Sequence, residues 1–191
     1  MATLTADPLA IQPGEKFTYR LSWGLFRKAA TLEIVADHDA DGVTRITSHT
    51  ATQGVIRALY RFDGWGEFLY EAENGRLRSA KAWTETGSKS TNASIDLAYE
   101  KMEANYVDHV RPEKSVLLDI PPDEPADFIT TLIQTRSWNI GVGEEEKVSV
   151  LFDDEFYELI IAVDRQEMLA TKWGKKPALV LIPRMEGEPK G

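Results

Sequence analysis

The chain has 191 residues, 42% hydrophobic and 28% charged, which fits one globular domain over residues 1–191 with enough length to bury a real core. Its 31 acidic against 22 basic residues leave a net charge of -9, so the overall field repels phosphate backbones and anionic headgroups, and nucleic acid is not an expected partner. The absence of cysteine removes thiol catalysis, thiolate metal ligation and disulfides. No apolar run approaches the roughly 18 residues that cross a bilayer, and Met1 to Pro8 has neither the basic nor the apolar region of an export signal.

Most apolar residues alternate with polar ones, the period of half-buried strands. After Pro13-Gly14, Phe17, Tyr19, Leu21 and Trp23 share one face of a first strand, and Lys16, Thr18, Arg20 and Ser22 the other. Leu32, Ile34 and Ala36 continue the pattern, and Val43 to Gln53 returns as the second arm of a hairpin. The turn between them, Asp37-x-Asp39-x-Asp41-Gly42, copies the front half of a calcium loop, where alternate carboxylates converge on a hard cation. Ser48 then stands where the bidentate glutamate belongs, so an acidic hairpin turn is the expectation and no metal site is assigned.

Gly54 to Leu59 reads as a short irregular or helical connection. In the next strand Tyr60, Phe62, Phe68 and Tyr70 fall on one face and Arg61, Asp63, Trp65 and Glu67 on the other. Gly64 and Gly66 bracket Trp65, where a bulge or bend is expected. Asn74-Gly75 is a strong hairpin signal, with Arg76 to Thr86 returning and Leu77 and Trp83 in phase. Gly87 to Tyr99 is small and polar, as suits a strand at an edge or one lining something wet. Tyr106 to Val110 and Val116 to Ile120 are further short strands.

Ala126 to Trp138 is the one good helix. Asp123 or Glu124 can cap it, Pro125 suits its first turn and Asp127 sits near the positive end of the dipole. Phe128, Ile129, Leu132 and Ile133 form its apolar stripe, with Phe128 and Leu132 as the wedge that a sheet closes over. Val148 to Phe152 and Phe156 to Val163 form a hairpin across Asp153-Asp154, and Met168 to Trp173 with Ala178 to Ile182 form another. The fold class is therefore mainly β (α+β): a curved antiparallel sheet or open half-barrel wrapped around one helix.

The chemistry-bearing patterns are sparse. His38, His49 and His109 have no paired metal-ligand spacing, no Gly-x-Ser-x-Gly turn exists, and Gly87-Ser88-Lys89-Ser90 is too short for a phosphate loop. Asp63 and Glu67 share a strand face at about 13 Å along an extended chain, so solvated charges are expected rather than a glycosidase pair. No cofactor is implied. Trp65 and Trp83, on hairpin partners among charged neighbours, either line a groove for an acyl chain or for stacking on sugars, or pack the other side of a sheet covered by the chain termini.

Pro13-Gly14-Glu15-Lys16-Phe17-Thr18-Tyr19-Arg20-Leu21-Ser22-Trp23-Gly24, Tyr60-Arg61-Phe62-Asp63 with Trp65, Asn74-Gly75-Arg76-Leu77 and Asp127 to Arg136 resemble the motifs of a bacterial family, domain-of-unknown-function family 3108. So does the close of the chain, through Gly143-Glu144, Glu167, Thr171, Gly174 and Ala178 to Ile182. The resemblance implies an envelope or periplasmic setting, further strands beyond the equivalent of Gly191, and no catalytic residues. It places Asp127 at the start of the helix and Arg136 at its end, where capping and the helix dipole make fixing the helix, rather than touching a ligand, the expected role.

The first functional reading is a non-enzymatic envelope protein that binds an apolar or amphiphilic, lipid-like ligand in the concavity of the sheet. Trp23, Tyr60, Trp65, Phe68 and Trp83 are its lining candidates. The second is a module that engages a protein or envelope polymer through a sheet edge, and the third a carboxylate-based hydrolase.

Overall fold

The structure is a computed structural model and describes residues 9, 11–38, 42–171 and 173–185. The acidic turn Asp39 to Asp41 lies outside the described residues. Eight strands form one antiparallel meander in chain order: β1 (Lys16–Trp23), β2 (Phe26–His38), β3 (Val43–Thr52), β4 (Phe62–Glu71), β5 (Leu77–Thr86), β6 (Lys89–Ala98), β7 (Glu103–Asp108) and β8 (Val116–Asp119). β1 and β8 do not pair with each other, so the sheet stays open. Helix α1 (Gly54–Leu59) links β3 to β4.

A second, four-stranded sheet follows, which the sequence reading did not separate from the first. It contains β9 (Ala126–Asp127), β10 (Glu145–Phe152), β11 (Glu155–Thr171) and β12 (Gly174–Met185) in the order β12-β11-β10-β9, with β9 parallel to β10. The two hairpins anticipated here share one continuous strand. A register shift between Val163 and Arg165 carries β11 through the polar stretch that looked like a break.

Helix α2 (Phe128–Gln134), continued by a 3-10 turn over Thr135–Ser137, is shorter than the predicted Ala126 to Trp138, because Ala126 and Asp127 are drawn into the strand pairing with β10. Its buried residues are Thr130, Thr131 and Ile133, with Ile129 and Leu132 packed at the margin of the core. Phe128 is 41% exposed, so the expected wedge of Phe128 and Leu132 is replaced by Ile133. Hydrophobicity alone could not anticipate this. Two threonines are buried because the Thr130 hydroxyl donates to Asp127 Oδ2 at 2.5 Å and the Thr131 hydroxyl to the Asp127 carbonyl at 2.9 Å, leaving neither polar group unpaired.

Around Ile133 the inner face of the large sheet supplies Ile34, Ile46, Phe68, Tyr70, Leu77, Ile95 and Tyr106. Leu151 and Phe156 of the second sheet close over the same cluster. β6, expected at an edge, runs between β5 and β7. Its polar end is instead the wet alternative: Lys89 to Asn92 are exposed where the sheet extends past the core.

Candidate functional site

Strand pairing sorts the inner face of the large sheet into levels. The level through Phe68 reads Ala36, Ile46, Phe68, Ala80, Ile95, Tyr106, all buried. The next reads Ile34, Ser48, Gly66, Ala82, Ala93, and the one after it Leu32, Thr50, Gly64, Thr84, Thr91. From β3 to β6 these two levels hold small residues only, and Ala82 and Thr91 are exposed while Ser48, Thr50, Thr84 and Ala93 are half-buried. Half of the inner face is thus filled by helix α2 and its neighbours, and the other half is a trough with a floor of small side chains.

The two glycines of that floor do not mark the bulge expected there. The β3–β4 and β4–β5 registers run unbroken through Gly64 and Gly66, and the irregularity falls between Leu69 and Tyr70. Their role is steric. A Cβ on Gly66 would sit 2.7 Å from the Phe68 ring and 2.8 Å from Ser48 Oγ, and one on Gly64 would sit 3.0 Å from the Phe62 ring. Both phenyl rings fold back into space that a side chain would occupy, so the floor is paved with aromatic carbon rather than left as a hole.

The five lining candidates do not come together. Phe68 is 8% exposed and belongs to the core, its ring folded over Gly66. Trp65 lies three residues earlier on the same strand, and strand alternation sends it to the opposite, outer face. There Trp65 stacks between His49 at 5.2 Å and its cross-strand partner Trp83 at 5.7 Å. Trp65 and Trp83 therefore cannot share the concavity with Phe68. Trp23, in phase with the core face by sequence, sits past a register shift after Leu21 and is 67% exposed beside the β1–β2 turn. Tyr60 follows α1 as its C-cap, 53% exposed at the same end of the sheet.

The outer-face ladder abuts a charge cluster that the sequence reading missed. Asp63 accepts from Arg57 at 2.9 and 3.1 Å and lies 3.6 Å from Arg61 and 3.9 Å from His49. The Arg57 guanidinium holds its carboxyl below the usual range. Glu67 accepts from Arg45 at 2.6 Å. Each member of the considered carboxylate pair is thus occupied by its own arginine, an arrangement unlike the free acid and base that glycoside hydrolysis requires. The spacing that could have betrayed this, Arg57 six residues before Asp63, spans a helix and a strand and has no fixed geometry in sequence. His38 lies against Thr44 Oγ1 and His109 against Ser94 Oγ, each apart from the other histidines.

Asp127 and Arg136 hold the two ends of α2. Asp127 Oδ1 accepts from the amides of Ile129 and Thr130 at 2.7 and 2.9 Å, and Tyr70 donates its hydroxyl to Oδ2 at 2.6 Å. Burial pushes the Asp127 carboxyl up against the pull of these hydrogen bonds, and pushes the Tyr70 hydroxyl well up. A buried acid with a raised pKa can signal catalysis. Here Oδ1 caps the helix, Oδ2 holds the Tyr70 and Thr130 hydroxyls, and the residue is 2% exposed, so its role is architectural. Arg136 forks onto Glu15 at 2.6 and 2.8 Å with its guanidinium 4.9 Å over the Phe17 ring, tying the helix end to β1. That pairing holds the Glu15 carboxyl down at about 2.

An open cleft of roughly 430 Å³ lies elsewhere, between Pro121, Asp123 and Glu124 and the β10–β11 pair. Three of its charged residues are paired, Glu124 with Arg76 at 2.6 Å and Lys147 with Glu158 at 2.7 Å. It forms by long-range packing and has no sequence signature.

Among solved structures, the crystal structure of a β-barrel-like protein of domain of unknown function DUF1849 from Brucella abortus aligns with a TM-score of 0.47 at 9% identity, covering 84% of this chain and 71% of that one. No curated protein matches. The profile described as protein of unknown function (DUF3108) matches residues 18–191, in keeping with the motifs from Thr18 onward, and the chain belongs to that family.

Proposed function

We propose that the protein is a non-catalytic component of the bacterial envelope that holds an amphiphilic molecule, its apolar chain lying in the open half of the inner face. The observation that carries this reading is the pair of small-residue levels from Ser48 to Ala93 and from Thr50 to Thr91, continuous with a filled core below and exposed above. Aromatic rings laid over the two glycines, beside small side chains, give a smooth apolar floor, while the threonine hydroxyls at its upper level suit a polar head. The setting in the envelope rests on the family resemblance.

A fluorescent polyene fatty acid titrated into the protein tests it. Ala82→Phe fills the trough at an exposed strand position and is expected to abolish the fluorescence rise while leaving the unfolding midpoint in place. Equal binding by wild type and variant counts against the reading.

A second reading, recognition through a sheet edge, is favoured by β12. It is a twelve-residue edge strand, and beyond Val163 its ribbon with β11 exposes Met168, Leu169 and Leu179. A captured partner lost on blocking that edge with proline would favour it.

A further inference from the structure

The sheet end that carries the trough's mouth is chemically unlike the rest of the molecule. In a chain with net charge -9, residues 18–31 and 53–62 contain Arg20, Arg27, Lys28, Arg57 and Arg61 and no acidic residue. The fold brings these two segments together. The first contains the β1–β2 turn and the second is the β3–α1–β4 connection, Ala30 pairs with Thr52, and the Gln53 amide donates to the Ala29 carbonyl at 2.8 Å. Asp63 offsets part of this charge, shared between Arg57 and Arg61, with Glu85 as its cross-strand neighbour on β5.

The same end exposes apolar side chains. Leu25 is 97% exposed, Leu59 77%, Trp23 67%, Val55 64% and Tyr60 53%, with Phe26 beside them at 44%. One such residue needs no explanation, but six on one sheet end do. Helix α1 makes the point locally: its single buried residue is Ile56, while Val55 and Leu59, four apart and so on one face, look outward.

Basic and apolar residues alternate within the patch. Arg27 and Lys28 follow Phe26, Arg57 stands between Val55 and Leu59, and Arg61 follows Tyr60. A protein interface is also enriched in aromatic residues and arginine but depleted of lysine, whereas here Lys28 and four arginines lie in two segments that carry no acidic residue. Leucine and tryptophan at a tip, ringed by lysine and arginine whose stems run along apolar surface, match a headgroup region where acyl chains begin below a layer of phosphates. The net negative charge does not forbid this, because charges elsewhere on the molecule are screened beyond about 10 Å at 0.1 M salt.

We propose that this end of the sheet docks on an anionic lipid bilayer, with Leu25 and Leu59 entering the acyl boundary and Arg27, Lys28 and Arg20 meeting phosphates. The surface stands without the amphiphile reading. If both hold, the trough opens toward the membrane.

Sedimentation with phosphatidylcholine vesicles, with and without phosphatidylglycerol, tests it on the full chain. Binding is expected only with phosphatidylglycerol, weakening as salt rises. Arg27→Ser with Lys28→Ser is expected to reduce partitioning about 25-fold, near fivefold per charge. Leu25→Ser with Leu59→Ser should abolish binding with an unchanged urea midpoint, since both residues are exposed. Trp173→Ser, at the exposed tip of the β11–β12 ribbon, should bind as wild type.

No binding, equal binding to neutral vesicles, retention in the leucine variant, or loss only in the Trp173 variant would each overturn the proposal. So would self-association in the absence of vesicles that the leucine substitutions abolish, which would assign the patch to a second copy. Ala82→Phe is expected to keep vesicle binding, which separates this test from that of the trough.

Discussion

Removing the Asp127 carboxylate should cost more than any other single polar change in the protein. Asp127→Ala deletes the cap of α2, worth about 1 kcal/mol. It also strands the buried hydroxyls of Tyr70 and Thr130, each at about 1–3 kcal/mol. Against this stands the relief of burying a carboxyl whose ionised form is disfavoured there. The balance is a loss of about 3 kcal/mol, a large share of the 5–15 kcal/mol typical of a domain. Asp127→Asn keeps an acceptor for the Ile129 and Thr130 amides and carries no charge, so its loss should stay near 1 kcal/mol. Tyr70→Phe leaves the cap intact and should also cost about 1 kcal/mol.

The pH dependence has a definite sign. Asp127's folded pKa is raised, so its stabilising contribution is full below the unfolded-state value and is lost as pH rises through the folded one. The stability of wild type relative to Asp127→Asn should therefore increase as pH falls from above the folded pKa toward the ordinary aspartate value of 3.8. Urea unfolding followed by tryptophan fluorescence gives all four numbers. An alanine variant within about 1 kcal/mol of wild type, or one no worse than asparagine, would refute the reasoning.

Three further outcomes follow from the geometry. Ile133→Ala should lose about 2–4 kcal/mol in urea unfolding whereas Phe128→Ala should lose under about 1, because only the first side chain is enclosed; equal losses would restore the original wedge. Gly66→Ala should cost about 1–3 kcal/mol by displacing the Phe68 ring, while Gly87→Ala, with open space around it, should show only the smaller strain of its positive φ. Glu15→Gln breaks the fork with Arg136. The full shift to about 2 sets a ceiling of roughly 3 kcal/mol, which side chains 28% and 38% exposed reduce to about 1. Because the Glu15 pKa is depressed, that stability is present above pH 4.5 and lost as pH falls toward 2, so the gap between variant and wild type measured by urea titration should close over that range.

The alternation from Phe17 to Tyr19 and from Leu32 to Ala36 placed strands and their inner faces correctly because period two is a local property of the backbone. The Asn74-Gly75 turn was legible for a similar reason: Gly75 adopts φ 74°, and the Asn74 side chain accepts from the Arg76 amide. What sequence did not carry was anything decided across strands. Alternation already set Phe68 and Trp65 on opposite faces, but not that Phe68 would fill the core while Trp65 stacks between His49 and Trp83 outside it. Thr130 and Thr131 read as polar, and only the partners at Asp127 show why they are buried. The trough depends on Ser48, Gly66, Ala82 and Ala93 being level on four strands, a coincidence of registers spread over 46 residues of chain.

The central claim is that the upper inner face accepts an apolar chain, and methyl NMR during titration with dodecanoic acid tests it most directly. The account predicts saturable shifts at the Ala82 and Ala93 methyls, with those of Ile133 and Val150 unmoved because they are enclosed. Shifts confined to other methyls, or none at saturating ligand, would contradict it.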